Sequence, residues 1–534
     1  MQASPQRRQV LVGLAAAGPL LIPRLAGAVT PGPAPVAQTR HGPVRGYVDQ
    51  GISVFKGVRY GADTGPLRFM PPQPPIPWTA VRDATAYGPA SPQRARGGEA
   101  TSEDCLFLNV WTPSPGKGAM RDGGKRPVMV YIHGGAYATG SGSAPLYDGV
   151  RLCRRGDVVV VTLNHRLNAF GYAYLARLGG AELADSGNAG QLDLVLALRW
   201  VRDNIAEFGG DPGRVMVFGQ SGGGAKIATL MAMPSAAGLF HRAATMSGQQ
   251  VTASGPGNAT RRTEAWLEAM KLKPSEIATL RTLPSERLVA GLAAEDPVLG
   301  FGGLYFGPVL DERTLTRHPF YPDAPALSAR IPMIIGNVHD ETRAFMGGDE
   351  SNFTVGWDGL AAKLTQANLR VDIDPATVIA EYQRIYPGYS ASQVLFAATT
   401  ASRSWRAAVI EAEARASAGT PAFVYQLDWA TPKDGGKFGA PHASDIQLVF
   451  DNLTRPGASA IGPTAQPMSD QMSEAFLAFA RSGDPNCKAI PRWERYGLPK
   501  RQTMVFNTPS RMVDDPRGAE RRLFAKVPFV QAGT

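Results

Sequence analysis

Short apolar runs rich in β-branched residues alternate along this chain with segments of helical periodicity, and this alternation restricts the fold more than any other feature. The runs predict fully buried strands at residues 128–132, 158–163, 215–218, 331–335 and 423–427. The clearest helical segment ends at Gly209-Gly210 and presents one apolar face, formed by Leu194, Leu198, Val201, Ile205 and Phe208. Strands that alternate with helices predict an α/β fold, in which a mostly parallel central sheet carries helices on both faces.

The remaining segments predict how this sheet is extended. Residues before 128 are rich in proline, notably over residues 71–75, and indicate loops and antiparallel edge strands. Residues of about 250–330 and 345–420 have mainly helical, polar-faced patterns, and we expect them to be insertions that roof a site. Because no linker-like change of composition and no internal repeat interrupts the chain, residues 29–534 are predicted to form a single domain.

The N-terminal residues have the pattern of an export signal. Arg7-Arg8 precede an apolar stretch over residues 10–22, and Ala26-Gly27-Ala28 provides a small-residue cleavage site. Paired arginines favour a signal peptide of the twin-arginine type over residues 1–28, with an ordinary Sec signal as the alternative. The stretch is too short to span a bilayer, so we expect a periplasmic or secreted protein without stable membrane insertion.

Charge and cysteine content exclude several classes of partner. The formal net charge is +10, but the basic residues are scattered rather than gathered into a patch with aromatic residues, which argues against nucleic-acid binding. The three cysteines, Cys105, Cys153 and Cys487, fit no metal-site spacing, and their odd number leaves at least one free thiol. We expect small buried side chains at these positions and no metal or other cofactor. The sequence leaves the oligomeric state open.

Ser221 lies in Gly219-Gln220-Ser221-Gly222-Gly223, a G-x-S-x-G pattern directly after the predicted strand 215–218 and before a helical stretch. A strand that turns sharply into a helix exposes one side chain at the end of the sheet, and small residues two before and two after it relieve the crowding. The following helix directs its first free N–H groups towards negative charge at that point. The pattern therefore predicts a nucleophilic serine.

A nucleophilic serine needs a general base, and in this architecture the base is a histidine that follows the acid along the chain. Of the later histidines, His241 comes before the next strand is complete, and His318 lies in a loop without a nearby strand end. His339 directly follows the strand 331–335, where the acid is expected. His442 lies in a loop of small residues beyond the last predicted strand, and it is therefore the predicted base.

Two further elements complete the predicted site. The acid is Asp340 or Glu341, and the local pattern leaves both open because either carboxylate can reach an imidazole N–H. The negatively charged oxygen of the reaction intermediate needs backbone N–H donors, and Gly222 supplies one. The glycine-containing loop after strand 128–132, His133-Gly134-Gly135-Ala136-Tyr137, lies in the position where the other donors are expected.

With these residues in place, the sequence resembles the type-B carboxylesterases, the esterase, lipase and cholinesterase group of the α/β-hydrolases. The resemblance runs from about residue 39 to residue 506 and rests on ordered blocks, namely Phe55-Lys56-Gly57-Val58-Arg59-Tyr60, Ser102-Glu103-Asp104-Cys105-Leu106, His133-Gly134-Gly135-Ala136-Tyr137, Asn164-His165-Arg166-Leu167, Ser186-Gly187-Asn188-Ala189-Gly190 and residues 200–212.

The resemblance implies a role for each site residue. The D-E-x-x-x-F pattern of the family, which begins here at Asp340, implies that Glu341 is the acid. The family's oxyanion donors correspond to Gly135, Ala136 and Gly222, and Ser247 is implied as a hydroxyl close to the acid. The resemblance implies hydrolysis of small carboxylic esters through an acyl-enzyme on Ser221. An amidase or acyltransferase with the same triad, or a non-catalytic binding protein of this fold, are the alternatives.

The chain departs from the family pattern near the site. The usual G-E-S-A-G is G-Q-S-G-G here, so that neutral Gln220 replaces a glutamate beside the nucleophile. Cys105 lacks the upstream cysteine with which the family forms its first disulfide, residues 86–102 contain no tryptophan where cholinesterases carry a cation-binding indole, and Thr342 replaces the usual glycine after the acid. The neutral Gln220, the missing tryptophan and the positive net charge predict a preference for neutral or anionic esters over choline esters.

Overall fold

A central sheet of eleven strands dominates the structure, a computed structural model that describes residues 34–94, 98–116, 125–460, 462–531 and 533–534. Residues Pro35–Thr534 form one compact unit. The signal peptide expected over residues 1–28 lies outside the described residues. The described strands are β1 (Val36–Thr39), β2 (Gly42–Arg45), β3 (Tyr47–Asp49), β4 (Ile52–Arg59), β5 (Arg82–Asp83), β6 (Phe107–Thr112), β7 (Arg126–Ile132), β8 (Val159–Leu163), β9 (Gly210–Gln220), β10 (Arg242–Met246), β11 (Met333–Val338), β12 (Ala422–Leu427), β13 (Gln502–Phe506) and β14 (Arg511–Asp514).

Helices connect these strands and cover the sheet. The described α-helices are α1 (Val150–Gly156), α2 (Asn168–Tyr172), α3 (Ala176–Gly179), α4 (Ala189–Asn204), α5 (Gly222–Leu230), α6 (Pro256–Ala269), α7 (Ser285–Gly291), α8 (Arg343–Met346), α9 (Ser351–Thr354), α10 (Trp357–Lys363), α11 (Gln366–Leu369), α12 (Pro375–Ile385), α13 (Ala391–Thr400), α14 (Arg406–Ser417), α15 (Ser444–Phe450), α16 (Ala465–Ser482) and α17 (Gly518–Phe524). Short 3₁₀ turns lie at Pro145–Tyr147, Ala181–Leu183, Ser186–Asn188, Ile205–Phe208, Pro234–Ala236, Pro274–Arg281, Ala326–Ser328 and Lys433–Gly436, and a π-helical segment lies at Ala401–Trp405.

The strand order of the large sheet is β14-β13-β12-β11-β10-β9-β7-β8-β6-β4-β3. All neighbouring pairs from β8 to β13 along this order are parallel, and the pairs at both edges are antiparallel. The alternation of strands and helices in the sequence had predicted this arrangement, which is confirmed. A second, small sheet has the order β1-β2-β5.

Both faces of the sheet are buried, which explains why its central strands are apolar without interruption. Along β7, Val128, Val130 and Ile132 belong to the core on one face, whereas Met129 and Tyr131 belong to the core on the other. This separation follows from the two-residue period of side-chain direction in a strand. Because the strands from β7 to β11 are parallel, the carboxyl ends of β7, β9 and β11 lie at one edge of the sheet, where the site residues lie.

The secondary structure departs from the sequence-based expectation in several places, and β13 and β14 follow the last strand that the sequence predicts. Residues 292–330, which we expected to be mainly helical, contain only the short turn Ala326–Ser328. Gly300 and Gly302 adopt positive φ angles there, and the many prolines remove the N–H groups that a helix would need. Strand β10 was not predicted, because its sequence, Arg-Ala-Ala-Thr-Met, has little β-branched character and its position between β9 and β11 comes from tertiary pairing.

The three cysteines are all free in this structure. Cys105 and Cys153 are buried free thiols, and burial raises the pKa of each, while Cys487 is free and partly exposed. No helix within the described residues is long and apolar enough to cross a membrane.

Candidate active site

Ser221 lies at the sharp turn between β9 and α5. Its backbone adopts φ 57° and ψ −129°, a strained conformation for a residue other than glycine, and its N–H donates to the Met246 carbonyl at 2.7 Å. The turn leaves no room beside it, because a Cβ atom on Gly223 would lie 2.0 Å from the Ile132 carbonyl oxygen, and one on Gly219 would lie 2.6 Å from the same oxygen. The small residues that the sequence pattern contains are therefore required by the backbone geometry.

His442 contacts the carboxylate of Glu341. Its Nδ1 lies 2.5 Å from Glu341 Oε2, and Glu341 is fully buried where the chain leaves β11. The second carboxylate oxygen, Oε1, accepts hydrogen bonds from the Asn337 side-chain amide at 3.0 Å and from the Val338 N–H at 3.1 Å. Burial alone would raise the pKa of Glu341, but the charge and hydrogen bond of His442 outweigh it and lower the pKa below its ordinary value.

Asp340, the other candidate acid, faces a different set of groups. Its carboxylate lies 3.2 Å from the His339 ring nitrogen and 3.1 Å from the Arg343 guanidinium, and it accepts from the Ala440 N–H at 3.1 Å. Asp340 thus connects the end of β11 to the loop that carries His442. Of the two neighbouring carboxylates, Glu341 alone contacts the imidazole of His442.

Two neighbouring side chains complete the surroundings of His442 and Glu341. The side-chain nitrogen of Gln220 lies 3.1 Å from His442 Nε2, the ring nitrogen that a base must offer to the serine hydroxyl. Among the described residues the Ser221 hydroxyl forms no hydrogen bond to that nitrogen, so Gln220 occupies it in this structure. Ser247 is buried beside Glu341, and its hydroxyl has no hydrogen-bond partner of ordinary geometry within the described chain.

Backbone N–H groups converge next to Ser221. Gly135 and Ala136 adopt φ angles of 89° and 52°, which turns the loop after β7 towards the start of α5. The approach is close, since a Cβ atom on Gly222 would lie 2.0 Å from the Ala136 carbonyl oxygen. Within the described chain, the N–H groups of Gly135, Ala136 and Gly222 donate to no protein acceptor, which leaves them available to an oxyanion.

Lys226, which sequence reasoning missed, lies beneath this loop. Its side chain is fully buried, and Nζ donates to the carbonyl oxygens of Ala136 at 2.8 Å and His133 at 3.2 Å. Burial lowers the pKa of Lys226 to about 7. Burial and the Lys226 charge together lower the pKa of His133 to about 3, which keeps that imidazole neutral. A signal existed in the sequence, because Lys226 is the one charged residue of α5, Gly222–Leu230.

The site opens into a cavity of about 600 Å³. Ser221, Gln220 and His442 form part of its wall, and aromatic and basic side chains from the helical insertions form another part, including Tyr305, Phe345, Arg370 and Arg403. The sequence did not indicate that the two arginines line the site, because the pattern of their segments is that of ordinary polar-faced helices. Within the part of the chain that the structure describes, no group of three or more His, Cys, Asp or Glu side chains is arranged to hold a metal ion.

Comparison with known proteins gives a consistent result. A family model described as the carboxylesterase family matches residues 33–524. The para-nitrobenzyl esterase of Bacillus subtilis is 35% identical over 506 residues, which cover 91% of this chain and 98% of that protein. The phenmedipham hydrolase of Pseudarthrobacter oxydans is also 35% identical, over 86% of this chain and 93% of its own length.

Solved structures give the same picture at the level of the fold. The crystal structure of the Geobacillus stearothermophilus carboxylesterase is 38% identical in sequence and superposes with a TM-score of 0.81. The match covers 92% of this chain and 99% of that one. The similarity therefore extends over almost the entire length of both molecules.

Proposed function

The chain belongs to the carboxylesterase family, and from this membership we propose which residues carry out its reaction and which esters it prefers. It has the α/β-hydrolase fold and hydrolyses carboxylic esters of small molecules as a serine hydrolase. The contact between His442 and Glu341, next to a strained Ser221 and three unused N–H groups, is the observation that supports the assignment of roles.

In the proposed mechanism, His442 Nε2 accepts the proton of the Ser221 hydroxyl while the serine oxygen attacks the ester carbonyl carbon. This step requires the Gln220 side chain to leave His442 Nε2, so that the serine can take its place. Glu341 holds the N–H tautomer of His442 through Nδ1 and stabilises the imidazolium that forms. The imidazolium then protonates the departing alcohol, and water attacks the acyl-enzyme with His442 again as the base.

The negative charge that develops on the carbonyl oxygen is stabilised by the backbone. Three N–H groups, of Gly135, Ala136 and Gly222, are proposed to donate to this oxyanion. Donors that are fixed in place before the reaction begins need no reorganisation in the transition state, and a single such donor contributes about 3 kcal/mol in comparable enzymes. The positive φ angles of Gly135 and Ala136 keep the loop in the required shape.

Replacement of Ser221 by alanine tests the nucleophile. We expect Ser221→Ala to remove turnover of a chromogenic aryl ester, with a loss on the order of a millionfold in kcat, because the attacking oxygen is absent. The thermal unfolding curve of the variant, compared with that of the parent, reports whether the fold is retained. A folded variant with activity within tenfold of the parent would overturn the assignment.

We propose a preference for neutral or anionic esters over choline esters. Gln220 carries no charge where the family usually has a glutamate, and residues 86–102 contain no tryptophan face for a quaternary ammonium group. The overall charge of +10 adds a weak repulsion of cations at long range. All three features point away from cationic substrates.

This preference is measurable with a matched pair of butyrate esters. We expect kcat/KM for butyrylcholine to be below that for an uncharged butyrate ester of similar size and leaving-group reactivity. An equal or higher value for butyrylcholine would contradict the proposal.

We also propose that the protein is exported to the periplasm or beyond it. The support is the sequence alone: Arg7-Arg8, the apolar residues 10–22 and the small-residue site Ala26-Gly27-Ala28 form the pattern of a cleaved signal.

A further inference from the structure

Two arginine side chains line the same cavity as Ser221 and His442, and the mechanism above uses neither of them. Arg370 follows α11, and Arg403 lies in the π-helical segment Ala401–Trp405. Both belong to the helical insertions that cover the site rather than to the sheet. They therefore contribute to the shape and charge of the space into which an ester enters.

Neither arginine forms an ion pair with a described residue. Within the described residues no carboxylate lies within ion-pair distance of either guanidinium, and Nε and Nη1 of Arg370 are buried without a hydrogen-bond partner. Both arginines are partly buried, whereas two fully buried arginines are paired, Arg166 with Asp193 at 2.6 Å and Arg262 with Asp296 at 2.7 Å. Buried guanidinium groups are normally paired, because an unpaired buried charge is costly.

The backbone at both positions is unusual. Arg370 adopts φ 59°, in the left-handed region that favours glycine, and Arg403 lies where the α-helical hydrogen-bond pattern changes to the π pattern. Arg370 ends α11 in this conformation, and π-helical segments are frequent at functional sites. Two separate irregularities thus accompany unpaired cationic side chains at one cavity.

An aromatic ring lies close to each guanidinium group. Arg403 lies 4.7 Å from the centre of the Phe345 ring, which in turn lies 4.6 Å from the ring of His442, and Arg370 lies 5.4 Å from the centre of the Phe301 ring. Stacking of this kind engages the face of a guanidinium and leaves the N–H donors at its edge free for an anion. Only one aromatic ring separates Arg403 from the base.

The electrostatic environment favours a bound anion. Burial, and then repulsion by Arg370, lowers the pKa of Arg403 to about 10, while Tyr305 and Glu341 act in the opposite direction. Burial also lowers the pKa of Arg370, against the influence of Tyr305. A carboxylate placed between the two side chains would offset both the burial and the mutual repulsion.

We propose that Arg370 and Arg403 form an anion subsite, and that the preferred substrates are esters that carry a carboxylate in their acyl or alcohol part. This inference rests on the proposed function, because it concerns the substrate of the same Ser221 site. The proposed ligand is a carboxylate, because two planar guanidinium groups can donate hydrogen bonds to its two oxygens.

The test compares anionic and neutral esters in both orientations. For the alcohol side, the pair is 4-acetoxybenzoate and 4-acetoxybenzamide, and for the acyl side it is the 4-nitrophenyl monoester of adipic acid and 4-nitrophenyl hexanoate. The readout is the ratio of kcat/KM for the anionic ester to kcat/KM for its neutral partner. Because each variant is compared with the parent on the same esters, differences in intrinsic reactivity cancel.

Arg370→Gln and Arg403→Gln are each expected to lower this ratio by roughly ten- to a hundredfold in at least one orientation, since a hydrogen bond to a charged group is lost. The orientation that responds identifies whether the carboxylate belongs to the acyl or the alcohol part. Arg403→Lys should recover part of the ratio. The control is Arg384→Gln, whose solvent-facing guanidinium is paired with Glu381 and which should leave both esters unaffected.

A measurement on the unaltered protein decides the matter if the variants fail to fold. Benzoate should inhibit hydrolysis of a neutral aryl ester competitively and at least tenfold more tightly than benzamide. Equal inhibition by the two, or an unchanged anionic-to-neutral ratio in folded variants, would overturn the subsite while leaving ester hydrolysis established. Absence of turnover of every ester by the parent would instead overturn the proposed function.

Discussion

At the scale of single residues, two neighbouring carboxylates have separate tasks. Glu341 is fully buried and shares its two oxygens between His442 on one side and Asn337 and Val338 on the other. Asp340 points to His339, Arg343 and the Ala440 N–H. Both residues lie just after β11, and of the two only Glu341 contacts the imidazole of His442.

Matched amide variants of the two carboxylates should differ sharply. Glu341→Gln is expected to lower kcat on the order of ten-thousandfold, because the amide neither maintains the His442 tautomer nor stabilises the imidazolium. Asp340→Asn should cost much less, since it affects only the packing of the His442 loop. Steady-state kinetics of both variants on one aryl ester provides the measurement, and the opposite order of severity would transfer the role to Asp340.

At the scale of elements, the site depends on how closely the loop after β7 approaches the start of α5. Lys226 of α5 donates hydrogen bonds to the carbonyl oxygens of His133 and Ala136 in this loop. Gly222 allows the close approach because it has no side chain. The usual family sequence has an alanine at the position of Gly222. In this protein a glycine at this position and the buried ammonium of Lys226 occur together.

Gly222→Ala should therefore impair catalysis more than binding. Its Cβ atom would lie 2.0 Å from the Ala136 carbonyl oxygen, so the loop must shift and the oxyanion donors must shift with it. We expect a fall in kcat of roughly a hundredfold with a smaller change in KM. Gly257→Ala, where a Cβ atom meets nothing within 4 Å, is the control. Parent-like kcat for Gly222→Ala would show that the loop accommodates a methyl group.

The buried Lys226 should make stability depend on pH. The pKa of Lys226 is about 7 in the folded protein and near 10.5 in the unfolded chain, so between these values the unfolded chain holds the additional proton. The unfolding free energy contributed by this group therefore rises with pH across that window, by up to about 1 kcal/mol per pH unit.

The measurement is urea unfolding of the parent and of Lys226→Met at pH 7 and pH 9. We expect the unfolding free energy of the parent, relative to that of Lys226→Met, to be higher at pH 9 than at pH 7. Lys500→Met, which alters an exposed lysine, should show no such gain. Parallel pH profiles for the parent and Lys226→Met would contradict the buried titration.

At the scale of the whole molecule, the sheet brings together residues that are far apart along the chain. Ser221 follows β9, Glu341 follows β11 and His442 lies in the loop after β12, and these strands are parallel, so that their carboxyl ends share one edge. The helical insertions then add Arg370 and Arg403 from above. The sheet thus positions the residues proposed for the reaction, and the helical insertions supply the residues proposed to select the charge of the substrate.

The proposed export is also a prediction about the whole molecule, and the type of its signal can be tested. Replacement of Arg7 and Arg8 by lysine is expected to leave precursor in the cytoplasm if the signal is of that type. Fractionation followed by N-terminal sequencing provides the readout. Unimpaired appearance of mature protein that begins near Val29 would instead indicate a Sec signal.

The sequence by itself determined the alternation of five central strands with helices, the serine at a strand-to-helix turn and the histidine in a late loop. These features are local, because they depend on the period of apolar residues and on the small residues that tight turns require. The choice of Glu341 over Asp340 was available from family resemblance, but local pattern left both open. Only the fold shows which carboxylate faces His442.

Tertiary structure alone decided what surrounds these residues. The contact of Gln220 with His442, the buried Lys226 beneath the loop and the unpaired guanidinium groups of Arg370 and Arg403 all join segments that are distant in sequence. Single-sequence periodicity reports whether a residue faces the core, but not which partner it meets there. A charged residue in a helix reads as solvent-exposed until a second element covers it, which is why the burial that perturbs Lys226, Arg370 and Arg403 becomes visible only in the folded chain.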